Sequence, residues 1–146
     1  MKETIKKNPL FFAFLLPAMT DGLVTLLGQD TSYWASRVVN EASPAYYFLL
    51  ASPWLFALGS VFWFVIWYLV FKKLKEPFNL FLMFVFIASH SWGGTSWLWQ
   101  IMKRHGVYVR ENQVSVIGAW CIAILYFALI AGVATYCLRI YFNKKK

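Results

Sequence analysis

The chain has 146 residues, of which 60% are hydrophobic and 21% aromatic, with a mean hydropathy of +0.56. That leaves too little polar surface to clothe a soluble globule of this size. The net charge of +8 reads as membrane topology and contact with anionic lipid headgroups, not as a nucleic-acid footprint.

Four apolar runs follow one another, at residues 10–27, 46–71, 78–102 and 114–141. The first carries one charge, Asp21, the middle two carry none, and the last carries only Arg139. A helix crosses a hydrocarbon layer of ~30 Å in about 20 residues. The expectation is therefore an all-α fold, a four-helix transmembrane bundle in which residues 1–146 form one integral membrane domain. No internal repeat, low-complexity tract or soluble domain is visible.

Run one opens at Pro9, after Asn8. Lys2, Lys6 and Lys7 ahead of it look like the start of a signal peptide. No Ala-x-Ala cleavage site follows, and the run continues past Pro17 to Leu27, so it is expected to stay as a span. Asp21 and Thr25 are four residues apart and share one helical face. Beyond the run, Gly28-Gln29-Asp30-Thr31-Ser32 reads as a turn and Tyr33-Trp34 as an interfacial aromatic pair. Ser43-Pro44 opens run two as a cap followed by proline at the first helical position. Pro17 and Pro53 fall inside expected helices, where each removes a backbone donor and invites a kink.

Run three opens at Pro77 and carries a polar stretch, Ala88-Ser89-His90-Ser91-Trp92-Gly93-Gly94-Thr95-Ser96. Trp97 and Trp99 near its outer end read as belt residues. Trp63 and Trp92 sit too deep for a belt, and an indole N–H at that depth needs a partner. Run four is rich in small residues, with the small-x3-small pairs Ala119/Ala123 and Ala128/Gly132. These serve either packing within the chain or a partner helix, including a second copy. Cys121 and Cys137 lie about 24 Å apart on one helix, too far to pair within the chain.

Lysine and arginine fix the orientation. Lys2, Lys6, Lys7, Lys72, Lys73, Lys75, Arg139, Lys144, Lys145 and Lys146 fall on one side of a four-pass chain; Arg37, Lys103, Arg104 and Arg110 fall on the other. The positive-inside rule places the first group, with both termini, in the cytoplasm. The membrane is then expected to be the plasma, or inner, membrane.

Asp21 falls about 18 Å past Pro9, and His90 about 20 Å past Pro77, on helices running the same way. The two side chains are expected at one level, where a carboxylate in hydrocarbon needs a partner. His90 is that partner, with Thr25, Ser89, Thr95 and Ser96 completing a network and Glu41 folding toward it from the outer side. These groups outline a polar pocket for a ligand; Asp21, Thr25, Glu41, His90, Thr95 and Ser96 are its expected residues. The alternative role for such a network is to fix helix registry. Asp21, Glu41, His90 and His105 offer metal-ligand types, but no His-x3-His, Glu-x-x-His or cysteine pattern accompanies them, so no metal site is assigned. No nucleophile motif is present either.

The order Asp21-x3-Thr25, Asn40-Glu41-Ala42-Ser43-Pro44 and a polar His90 helix resembles small uncharacterised prokaryotic four-helix membrane proteins. Those carry Asp-x3-Thr in helix one and a Glu-Ala-Asn-Pro-like turn before helix two. That resemblance implies no activity. The layout is also similar to the sterol-isomerase and sigma-2-receptor superfamily, which implies binding of lipophilic amines or sterols between acidic residues; run two here lacks the acidic residue of that pattern.

The functional expectation is a non-catalytic membrane subunit, or a binder of a lipophilic ligand or partner helix. A small membrane enzyme or an ion- or metal-handling protein using Asp21, Glu41 and His90 is the alternative. The topology is open to direct test in a background lacking Cys121 and Cys137. Single cysteines at Asp30 and Lys73 should label from opposite sides of sealed vesicles; labelling from the same side would overturn the four-pass arrangement.

Overall fold

Prolines mark the starts of four helices in the computed structural model, which describes residues 2–144. Lys145 and Lys146, counted above on the cytoplasmic side, lie outside the described residues. The elements are α1 (Lys2–Lys7), α2 (Pro9–Leu27), α3 (Thr31–Ser36), α4 (Ala45–Ala51), α5 (Pro53–Lys73), α6 (Phe78–Arg104) and α7 (Gln113–Asn143). The described residues contain no strand.

Three helices, α2, α5 and α7, are long and apolar enough to cross a membrane. At 27 residues, α6 has the length, about 40 Å. Its polar stretch makes it the least apolar of the four long helices. Of the four expected apolar spans, three are matched by helices long and apolar enough to cross; α6 has the length but is not among them.

The most enclosed of the three is α2. Its Leu10, Phe11 and Phe14 join Phe71 of α5, Met83 of α6 and Cys137 of α7 in one core cluster near the α2 N-terminus. Phe14 is fully buried, with ring centroids 5.0 Å from Phe86 and 5.1 Å from Phe71. Pro9 stands at the first helical position of α2, where its missing N–H costs nothing. Asn8 precedes it, but its side chain does not cap α2; it donates to the Tyr68 carbonyl of α5 at 2.8 Å.

Run two is not one kinked helix. The chain ends α4 at Ala51, passes through an extended Ser52 and restarts at Pro53. The Ser52 hydroxyl accepts from the backbone N–H groups of Trp54 and Leu55, capping the new helix. In a continuous helix the Leu49 carbonyl would take the N–H of residue 53, which proline lacks. The Tyr33 hydroxyl fills that position, donating to the Leu49 carbonyl at 3.0 Å. Tyr33 and Leu49 are both completely buried and form a second core with Phe56. The segment read as a turn and an interfacial pair is thus partly the short helix α3, and Tyr33 is a core residue.

Small residues of α7 divide into two sets. Ala119 and Ala123 are buried in the bundle, whereas Gly118, Ala128 and Gly132 face outward. One small-x3-small pair is used within the chain and the other is not.

The Tyr33–Leu49 bond makes a specific prediction. Tyr33→Phe leaves a buried carbonyl without a donor and should cost about 1–3 kcal/mol, seen as a lower melting temperature in detergent. Pro53→Ala returns an N–H to the chain, so the same Tyr33→Phe change should cost clearly less in that background. Equal costs in both backgrounds would show that the hydroxyl does not serve the proline-freed carbonyl.

Candidate functional site

The candidate site lies where α2 and α6 run side by side. A face carrying Asp21 on α2 meets a face carrying His90 and two glycines on α6. Nδ1 of His90 donates to Oδ2 of Asp21 at 2.8 Å. The side chains are 25% and 20% exposed, respectively, so the pair is neither sealed nor open.

Glycine lets the helices come this close. A Cβ at Gly93 would sit 2.6 Å from Oδ1 of Asp21, and one at Gly94 would sit 2.7 Å from the Tyr126 hydroxyl and 3.5 Å from Cα of Asp21. Any side chain at either position would displace a polar group of the site. Beside Asp21, by contrast, nothing lies within 4 Å of a Cβ placed at Gly22.

Aromatic rings close the other side of His90. Trp63 of α5 meets the imidazole edge-on at 5.3 Å between centroids, and Phe86 lies at 6.2 Å. Trp63 therefore has a packing role at depth, against Phe14, Phe86 and His90. Trp92 points away from the bundle and is 81% exposed.

Two hydroxyls at this level, Ser91 Oγ and Tyr126 Oη, are buried and find no hydrogen-bond partner. Ser91 lies one turn before Gly94 on the same buried face of α6, and the Tyr126 hydroxyl rests over Gly94. Buried polar atoms in native proteins are nearly always satisfied, and these two are the exceptions among the described residues. Sequence reasoning missed both. Tyr126 is an isolated polar aromatic in an otherwise apolar stretch of run four, which was the available signal; Ser91 stood out only as the neighbour of His90.

The other expected site residues are distributed differently. Thr25 is buried one turn beyond Asp21, and its carbonyl accepts from the Gln29 side chain at 3.1 Å. Thr95 donates to the Ser91 carbonyl at 2.6 Å, Ser96 to the Gly93 carbonyl at 2.8 Å and Ser89 to the Phe86 carbonyl at 3.3 Å. These three hydroxyls are turned back onto their own helix; the structure does not join them to the Asp21–His90 bond.

Glu41 does not reach Asp21 either. It accepts from Trp97 Nε1 at 3.2 Å, and its other oxygen accepts from the Ser43 N–H at 2.8 Å. Trp97 is not a belt residue but is buried against Gly28, where a Cβ would lie 2.5 Å from its ring. Around it Gln29 bonds Asn40, and Arg104 donates to the carbonyls of Gly28 and Gln29 at 3.0 Å each and pairs with Asp30. A cation thus satisfies the carbonyls that α2 leaves free at its C-terminus. Glu41 belongs to this second polar assembly, at the C-terminal end of α2.

Among the described residues no three His, Cys, Asp or Glu side chains gather closely enough to hold a metal ion. What the site does offer is an imidazole bonded through Nδ1 to a carboxyl group, beside two unsatisfied hydroxyls. Comparison with protein-family models, curated proteins and solved structures yields no match.

A double-mutant cycle tests the pair. Asp21→Asn and His90→Gln should each change stability in detergent, and the double variant should depart from additivity by about 0.5–3 kcal/mol. Gly93→Ala should push the carboxylate off His90 and behave like Asp21→Asn, while Gly22→Ala should be nearly silent. Strict additivity would mean that the two side chains do not meet.

Proposed function

We propose that this chain is a small multi-pass integral membrane protein that spans the plasma, or inner, membrane four times as α2, α4–α5, α6 and α7, with both termini cytoplasmic. We further propose that it is a non-catalytic binder of a lipophilic ligand or of a partner helix. The placement of basic residues supports the orientation. Crossing by α6 is supported by the internal bonding of its polar groups: Ser89, Thr95 and Ser96 to their own helix, and His90 to Asp21.

One observation carries the binding reading. A partly accessible His–Asp pair stands beside two buried hydroxyls without partners, among apolar and aromatic side chains. An apolar molecule with one polar head would complete those hydrogen bonds and bury the rest of its surface against the rings. A partner helix has a separate place to dock, the outward Ala128 and Gly132 of α7, where backbones can approach closely. A second reading, proton or ion handling, is favoured by the same pair, because ionisable groups at membrane depth often serve as relays.

Purification in a mild detergent separates the readings. The lipid extract of the wild-type protein should contain a lipophilic molecule in fixed stoichiometry, or another polypeptide should co-purify. Ligand should fall several-fold in Asp21→Asn and Tyr126→Phe but not in Trp92→Phe. Absence of any ligand or partner, together with Asp21-dependent proton flux in vesicles loaded with a pH-sensitive dye, would replace binding with ion handling.

A further inference from the structure

Far from the Asp21–His90 pair, the N-terminal ends of α2 and α6 and the C-terminal ends of α5 and α7 surround a cavity of about 400 Å³. Four lysines from separate stretches line it: Lys7 ahead of α2, Lys72 at the end of α5, Lys75 in the following loop and Lys144 after α7. One carboxylate, Glu76, accompanies them, and the Tyr141 hydroxyl donates to it at 2.7 Å. Behind the lysines the wall is mixed, with Leu10 and Phe71 beside Asn8 and Asn79, and both asparagines are buried. Asn79 donates to the Tyr141 hydroxyl at 2.9 Å and Asn8 to the Tyr68 carbonyl at 2.8 Å. Lys72 also lies over the Tyr68 ring, 4.6 Å from its centroid. The polar groups of the wall are therefore bonded within the chain.

Four lysines from separate stretches give this cavity a basic rim, which an anion with several acceptor oxygens would complement. The volume admits a phosphate with a small alcohol, and the position at the helix ends is where headgroups of anionic lipid would lie. We propose that this cavity binds a phosphate-bearing anion through Lys7, Lys72, Lys75 and Lys144. A phospholipid headgroup and a soluble phosphate ester share that chemistry. The site is independent of the ligand proposed at Asp21–His90, and the headgroup source requires only that the ends of α2, α5, α6 and α7 meet a membrane surface.

The test uses the full chain in a neutral detergent, followed by its melting temperature. Phosphatidylglycerol in mixed micelles is compared with phosphatidylcholine, and both with sodium phosphate and glycerol 3-phosphate in solution. Phosphatidylglycerol should raise the melting temperature by several degrees over phosphatidylcholine. Lys72→Gln/Lys75→Gln/Lys144→Gln should weaken the apparent affinity about tenfold or more. Lys103→Gln/Arg110→Gln at the other end, and Asp21→Asn, should leave it unchanged. Stabilisation by the lipid alone assigns a headgroup site; stabilisation by glycerol 3-phosphate or phosphate as well assigns a site for the free anion. If the triple variant folds poorly, Lys75→Glu alone should abolish the preference. Equal stabilisation by both lipids with no response to soluble phosphates would overturn the proposal, as would an undiminished preference in Lys75→Glu or in the triple variant.

Discussion

The bond between Asp21 and His90 sets the register of α2 against α6, and the other ties between these helices fall on that register. Gly28 meets Trp97 one heptad further along both helices, and Arg104 then reaches the carbonyls of Gly28 and Gln29. A slip of one residue would rotate Asp21 by about 100° and take its carboxylate away from the imidazole. It would also drive Trp97 into side chains where only Gly28 leaves room. Gly93 and Gly94 are the condition for the approach. Each costs roughly 0.5–1 kcal/mol of helix stability relative to alanine, a cost offset by the Asp21–His90 hydrogen bond and by the packing that it permits.

The same demand for satisfied polar groups explains the irregular parts. At Pro53 the chain loses a donor, breaks into two helices and recruits Tyr33 for the Leu49 carbonyl. Four hydroxyls inside the long helices, those of Ser60, Ser89, Thr95 and Ser96, bond a carbonyl three or four residues back. Such self-satisfied groups can sit in an apolar environment at little cost and carry no message about function. Ser91 departs from this pattern. It occupies the same polar stretch, is buried, and has no bond to its own helix or to another. That contrast gives the Ser91–Tyr126 level its significance.

Much of the fold was legible because apolar length and proline position are one-dimensional signals. Pro9, Pro44 and Pro77 marked helix starts within a residue or two. The shared level of Asp21 and His90 followed from counting residues from two such starts. Pro53 was harder, since a proline inside an apolar run reads equally as a kink or a break. The outcome depended on Ser52 as a cap and on Tyr33, which is distant in sequence. Thr25, Thr95 and Ser96 were grouped with the pair because composition cannot show whether a hydroxyl turns toward a neighbour or toward its own backbone. Glu41 illustrates the other limit. Its place was judged by distance along the chain, but the indole N–H of Trp97 holds it two turns of α6 beyond His90.

Charge at the two ends is unequal in use as well as in number. At the α2 C-terminal end, Arg104 is committed to Asp30 and two carbonyls, Arg37 lies 5.1 Å from the centroid of Tyr33, and Lys103 lies 5.8 Å from that of Tyr108. Three of the four cations on that side are thus engaged by the chain itself and act as fastenings. At the opposite end, Lys7, Lys72, Lys75 and Lys144 rim a cavity instead of closing it, although Lys72 also covers Tyr68. A charge held by a carboxylate or by carbonyl oxygens exerts less pull on a distant anionic surface than one facing open space. The proposed orientation and the proposed anion binding then draw on the same lysines.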